Sequence, residues 1–491
     1  MRLLRRSSRN FNVLELLRMI AFLILMEGGF MLVPLLTGII YGESDAMAFG
    51  ITIVLALVIG LGILTFVKPR NRYLGKRDGI LLTALVWIVF SAFSIIPFMI
   101  SSANLNFVDA FFESMSGFTT TGASVIPDIE SLSNSIKIWR CMMQWIGGIG
   151  IVIFTVALLP MFNSSGGMQM YSAELSGITI DKLQPRINQT ALRLCLIYIV
   201  LTLALCLLLW IGPMNLFDSI CHAFSTVSTG GSSTRNASIG AWNSDYVRLI
   251  VILFMFLGGV SFVVMYRVSL GKTRQALRDE NFRTYIGVIV VITLLITLVL
   301  IFSHGFIGFR QIVIDPLFQV VSLITSTGYT VSNLYSWNED IFPLLMILMF
   351  SGACAGSTSG GAKIDRFIFL WKNSRNELHR IVHPNRYYPL TINGNVKSPE
   401  VIDRVTSFLW FYIGMVVLGG VLLSIFGMTV GDAFFSSFSC MGNIGVGIGS
   451  TLNTYATIPT AAKLTLSLLM LVGRLEIFTI LILFSRSFWH K

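Results

Sequence analysis

Residues 109–124 read "DAFFESMSGFTTTGAS": an Asp, about three turns of apolar helix former, then small hydroxyl residues and a glycine. The apolar part is too short to cross a bilayer core, which takes about 20 residues of helix. The pattern returns three times, as "DSICHAFSTVSTGGSS" (218–233), "DPLFQVVSLITSTGYT" (315–330) and "DAFFSSFSCMGNIGVG" (432–447). From each Asp to the loop glycine, Gly122, Gly230, Gly328 or Gly445, the offset is 13, 12, 13 and 13. Such self-similarity is the mark of a repeated structural unit.

What surrounds the four segments fixes their setting. Of 491 residues, 54% are hydrophobic and only 12% charged, and the mean hydropathy is +0.78; soluble domains carry about 25% charge. Apolar runs long enough to span a bilayer lie near 14–41, 46–67, 79–101, 135–160, 187–211, 245–268, 284–303, 341–371, 404–427 and 461–486. The short segments fall between the third and fourth, fifth and sixth, seventh and eighth, and ninth and tenth of these runs. The fold class is therefore an all-α polytopic membrane protein of about ten transmembrane helices. A two-helix extension (1–78) precedes four units of helix, short re-entrant helix, loop and helix (79–162, 187–268, 284–372 and 404–491) around one pseudo-fourfold pathway.

The net charge of +11 resides in short connections: Arg2, Arg5, Arg6 and Arg9; "KPRNRYLGKR" (68–77); Arg267 to Arg283; Lys372 to Arg404. All fall on one side of the membrane if each long run is a single crossing. By the positive-inside rule that side, with both termini, is cytoplasmic, and the charge calls for no nucleic-acid partner. The six cysteines form no CxxC and have no histidine cluster beside them, which argues against a metal site or disulfide framework. "MRLLRRSSR" heads a retained first helix rather than a signal peptide, since no small-residue cleavage site follows.

Within a unit, Asp109, Asp218, Asp315 and Asp432 stand where an N-cap accepts orphan N–H groups, and they read as pore-helix caps rather than ion ligands. Each short helix runs inward and ends at the hydroxyl–glycine step, where the macrodipole carries about half a negative charge. Four such ends facing one axis attract a cation. The loops "TTTGA", "STGGS", "STGYT" and "NIGVG" can aim carbonyls at that axis, the construction of potassium-selective pores.

With these motifs the chain resembles the membrane subunits of the Trk/Ktr/HKT superfamily of potassium transporters, most closely the bacterial Trk-type subunit with its two additional N-terminal helices. The resemblance rests on the fourfold pattern, the loop glycines, "GSTSGGAK" (356–363) and "GRLEIFTILILF" (473–484). It implies a potassium-binding filter at Thr120, Thr121 and Gly122; Ser228, Thr229 and Gly230; Ser326, Thr327 and Gly328; and Asn443, Ile444 and Gly445. The loops lack the full TVGYG of tetrameric channels, and the fourth has Val446 where a Pro is more usual in the family.

"SGACAGSTSGGAK" (351–363) breaks the eighth run with four glycines, and irregular backbone at membrane depth is tolerated where it lines a cavity. The resemblance implies a gate loop there, with Gly352, Gly356, Gly360 and Gly361 supplying mobility and Lys363 in the cation path; a kink serving packing alone is the alternative. Arg474 lies inside the last run, where burying a charge is costly, and so is expected to turn inward; the resemblance implies a gate residue there, with local ion pairing to another helix as the alternative. Glu27 lies outside the repeat, and nothing ties it to ions. The resemblance further implies a homodimer in the bacterial inner membrane and a cytosolic nucleotide-binding regulatory ring, with potassium as substrate and no cofactor bound by the chain itself. A secondary symporter coupling potassium to protons or sodium stays open as an alternative. A membrane-embedded enzyme is more remote, since no carboxylate, His or Lys cluster marks a lipid-accessible cleft.

Overall fold

The computed structural model of the protein describes residues 11–69, 74–162, 187–305, 308–332, 337, 341–386 and 388–489. The basic cluster Arg2–Arg9 and part of the 68–77 connection lie outside the described residues. The described residues are mostly helical; the one strand pair among them is a small hairpin, Thr391–Ile392 against Asn395–Val396.

Six helical segments are long and apolar enough to cross a membrane among the described residues: Val13–Tyr41, Ala46–Phe66, Arg77–Ile100, Leu192–Ile211, Glu280–Ser303 and Pro399–Ile425. Their outer faces are apolar, with Phe66 90% and Phe302 86% exposed; in water such faces would drive aggregation, whereas lipid solvates them. The N-terminal helices pack closely because small residues meet at their crossing. A Cβ on Gly28 would lie 2.8 Å from that of Ala56, and one on Gly60 would lie 2.7 Å from Leu25 Cδ2.

Two further expected crossings are sharply bent. Asp245–Gly259 and Phe262–Ser269 meet at 104°, and Thr460–Arg474 and Ile477–Phe484 at 114°, so 245–268 and 461–486 are broken helices rather than straight spans. Glycines explain the first break, since Gly258 and Gly259 lead directly into extended backbone at Val260 (φ −80°, ψ 139°). At the second, Glu476 takes a positive φ of 57°. The 341–371 run is divided between Phe342–Ser351 and Ile364–Val382. The remaining expected crossing, 135–160, is the helix Asn134–Phe162.

The buried apolar side chains form two main bodies. One joins the N-terminal helices to the first and fourth repeats, through Phe49, Phe112, Trp139 and Leu466. The other joins the second and third, through Tyr198, Met255, Phe318 and Leu348. Trp145 packs against both. The four short helices, Phe107–Phe118, Leu216–Val227, Asp315–Ile324 and Val430–Met441, are part of these bodies, the first and fourth mainly of one and the second and third of the other, and are buried along most of their length.

Candidate functional site

The N-terminal ends of the short helices correct one expectation. The N-cap is Asn106, Asn215 or Thr429, whose side-chain oxygen accepts from the backbone N–H of Asp109, Asp218 or Asp432. Those aspartates sit three residues further on, in the capping-box position, and Asn106 and Asn215 donate back to Asp109 and Asp218 at 2.8 and 3.0 Å. Asp315 is the first residue of its helix, entered from a π-turn over Arg310–Ile314. Free of the cap, the carboxylates tie the helices to neighbouring segments. Asp109 pairs with Lys463 (2.6 Å), Asp315 with Arg248 (3.3 Å), and Asp218 and Asp432 accept from Thr234 and Ser450 (2.6 and 2.7 Å).

All four helices end the same way. The N–H groups of Thr121, Gly230, Thr327 and Ile444 reach back to the carbonyls of Ser116, Ser225, Ser322 and Ser439 at 2.8–2.9 Å. Those of Thr120, Thr229, Ser326 and Asn443 reach back three residues at 3.0–3.2 Å. This is the Schellman closure, which requires a left-handed residue, and these four residues have φ of 53–55°. Two residues further on, Gly122, Gly231, Gly328 and Gly445 have φ of 78–80°. The second loop therefore lies one residue later than expected: its equivalents are Thr229, Gly230 and Gly231 rather than Ser228, Thr229 and Gly230. With Gly231 in place of Gly230, the Asp-to-glycine offset is 13 in every repeat.

The four glycines interlock. A Cβ on Gly122 would collide with the carbonyl oxygen of Gly230, one on Gly231 with that of Thr327, one on Gly328 with that of Ile444, and one on Gly445 with that of Thr121. First touches second, second third, third fourth and fourth first, so the loops close a ring about a single axis. Asn443 also donates to Thr121 Oγ1 at 3.1 Å across the fourth–first junction.

Behind the ring, the fourth residue after each Asp is polar: Glu113, His222, Gln319 and Ser436. Glu113 receives Val125 N–H (3.0 Å) and Ser124 Oγ (3.0 Å) from the departing strand and pairs with Arg140 at 2.7 Å, both side chains being buried. His222 donates from Nδ1 to the Asp218 carbonyl (2.7 Å), and its Nε2 is hydrogen-bonded to Ser233 Oγ (3.0 Å). Ser436 meets Thr451 at 3.2 Å.

Residues 352–363 lie directly against the C-terminal ends of the short helices. Gly360 N–H donates to Ser326 Oγ (2.6 Å). Thr358 Oγ1 donates to the carbonyls of Val227 (3.3 Å) and Gly258 (3.1 Å). A Cβ on Gly360 would strike the Gly442 carbonyl. The 260–261 break supplies partners for the same segment: Cys354 N–H donates to Gly259 O (3.1 Å), and Phe262 N–H to Gly356 O (2.9 Å). Gly352, Gly356 and Gly361 adopt φ of 64–78°, so they provide left-handed turns within a segment tied down by hydrogen bonds. Lys363 (φ 71°) folds its ammonium back onto the Ser359 carbonyl and hydroxyl. Arg474, buried, donates to Thr358 O (2.9 Å) and Gly147 O (3.1 Å) and lies over the Trp87 ring. Beside it Arg366 pairs with Glu476 at 2.7 Å. Glu27 lies apart, accepting from Ser94 at 2.7 Å.

An all-helical polytopic membrane protein with four re-entrant helices closing a ring of glycine loops is, as a class, built like a cation transporter. More particularly, the chain belongs to the TrkH family, described as cation transport proteins, whose model matches residues 45–491. It is 36% identical over 477 residues to the Trk system potassium uptake protein TrkH of Escherichia coli K12, covering 96% of this chain and 99% of that protein. To the TrkG protein of the same strain it is 34% identical over 476 residues, 96% of this chain and 98% of that one. Its fold matches the crystal structure of the potassium transporter TrkH from Vibrio parahaemolyticus with a TM-score of 0.89 and 33% identity, covering 97% of this chain and all of that one.

Proposed function

We propose that the chain mediates potassium uptake across a bacterial cytoplasmic membrane, through a filter built from Thr120–Gly122, Thr229–Gly231, Ser326–Gly328 and Asn443–Gly445. The observation that carries this reading is the closed ring of glycine-to-carbonyl contacts between successive repeats. In each loop a residue of positive φ, one outside that region and a glycine of positive φ follow one another. That alternation turns successive peptide carbonyls to the same side, where together they replace the hydration shell of an ion. The short helices add the negative ends of four dipoles. An inside-negative potential drives the ion inward with about 2.3 kcal/mol per charge per 100 mV.

Residues 351–363 act in this reading as the gate, held shut by Thr358, Gly360 and Arg474. Opening requires those bonds to exchange for water or for new partners. The potassium uptake and potassium transport named for its relatives support the choice of ion; in this reading the termini and basic connections face the cytoplasm, two copies associate, and a nucleotide-binding regulatory ring meets the basic face. The test is cation flux in proteoliposomes for the wild type and Gly328→Ser, with potential and pH gradient imposed separately. Potassium flux that follows the potential, ignores the pH gradient and is lost or made unselective by Gly328→Ser is expected. Flux indifferent to Gly328 would overturn the filter, and flux driven by the pH gradient would favour the symporter.

A further inference from the structure

The second filter loop departs from the other three at one position. Between the left-handed residue and the left-handed glycine stand Thr121, Thr327 and Ile444 in three repeats, but Gly230 in the second. The room a side chain would take there is not empty. A Cβ on Gly230 would fall onto Cγ (2.8 Å), Cδ and Oε1 of Gln144, a residue of the helix Asn134–Phe162 in the first repeat. The Gln144 amide binds the loop at three points. Nε2 donates to the Gly230 carbonyl (2.7 Å), and Oε1 accepts from Ser232 N–H (3.1 Å) and Ser225 Oγ (2.7 Å).

The internal repeat shows that this is a matched departure. Gln144 lies three residues before Gly147, as Met255 does before Gly258, Met349 before Gly352 and Met470 before Gly473. Gly147 and Gly473 sit against the carbonyls of Phe118 and Met441, each the ninth residue after its repeat's Asp. Gly148 and Gly259, one residue on, each sit against a tyrosine hydroxyl, Tyr198 and Tyr285. All four side chains, Gln144, Met255, Met349 and Met470, are fully buried. Where the loop supplies its own side chain the helix supplies a methionine; where it supplies none, the helix supplies an amide.

On the reading of the loops as a filter, we infer that Gln144 is a positioning and selectivity-determining residue. It replaces the missing side chain of the second loop and holds the Gly230 carbonyl in the ring. A carbonyl that already accepts a strong hydrogen bond presents a weaker field to a cation, and weaker, fixed dipoles favour the larger ion. Loss of the amide frees the carbonyl to contract around sodium.

The test measures potassium and sodium flux in proteoliposomes for the wild type, Gln144→Met, Gln144→Glu and the double variant Gln144→Met with Gly230→Thr. Methionine is the residue of the other three repeats. Glutamate keeps the shape and, measured at a pH high enough to ionise it, has no donor for the Gly230 carbonyl. Both single variants are expected to conduct potassium and to lower the potassium-to-sodium ratio by about fivefold or more, the worth of one buried hydrogen bond. The double variant, with the combination found elsewhere in the ring, should recover at least half of the wild-type ratio. Single variants with the wild-type ratio, or a double variant no more selective than Gln144→Met, would overturn the inference. A wild type with no preference for potassium would instead mean that the filter reading itself had failed.

Discussion

At the scale of the residue, the ring is held to its shape by handedness. Thr120 and Thr229 are β-branched yet left-handed, a conformation that costs an L-residue about 1–2 kcal/mol, and the Schellman bonds to Ser116 and Ser225 hold them there. The glycines two residues on have no such latitude. A Cβ at Gly445 would meet the Thr121 carbonyl and lie 2.5 Å from Ala123 N. Gly445→Ala is therefore expected to abolish selective potassium flux. Gly62→Ala, with open space around its Cβ, should leave flux unchanged, and parallel flux assays check both. A second prediction concerns the buried pair behind the first loop. Glu113→Gln strands Arg140, 3% exposed, and should cost about 3–5 kcal/mol, read as a lower melting temperature. Adding Arg140→Met should recover part of that loss.

At the scale of the element, the sequence displayed the short helices and the loops clearly, because an Asp, three apolar turns and a glycine recur at nearly fixed spacing. The choice between the two adjacent glycines in "STGGS" was legible as well, since Gly231 and not Gly230 gives the offset of 13 found in the other three repeats, and its left-handed φ and contact with the third loop agree. The caps at Asn106, Asn215 and Thr429 are legible as N-x-x-D and T-x-x-D, in which the carboxylate is the stronger acceptor but stands three residues past the cap. The bends at 260–261 and 475–476 do carry marks in the sequence, Gly258–Gly259 and the charged Arg474 and Glu476, but the long apolar runs on either side of each read together as one straight crossing; Gln144 shows its role only when folded against Gly230. The 352–363 break, by contrast, was plain from its glycines, although its hydrogen bonds were not. Those bonds carry a third prediction. Thr358→Val removes the one hydroxyl donor shared by Val227 O and Gly258 O and should raise resting potassium flux several-fold without changing the potassium-to-sodium ratio. A fall in the ratio would mean that the segment shapes the filter rather than closing it.

At the scale of the whole molecule, the two apolar bodies meet across the ring, one carrying the first and fourth repeats and the other the second and third. An ion bound between the loops contacts both, so its occupancy should stabilise the entire protein. Potassium at 100 times its dissociation constant contributes about 2.7 kcal/mol, and the melting temperature in detergent should be higher in potassium or rubidium than at equal ionic strength in lithium. The central claim, that four loops of one chain make a single cation site, is tested most directly by anomalous diffraction from crystals grown in thallium or rubidium. The account predicts an ordered ion on the axis, in reach of backbone carbonyls from all four loops at 120–122, 229–231, 326–328 and 443–445. An axis without a bound ion, or ions held by fewer than four loops, would contradict it.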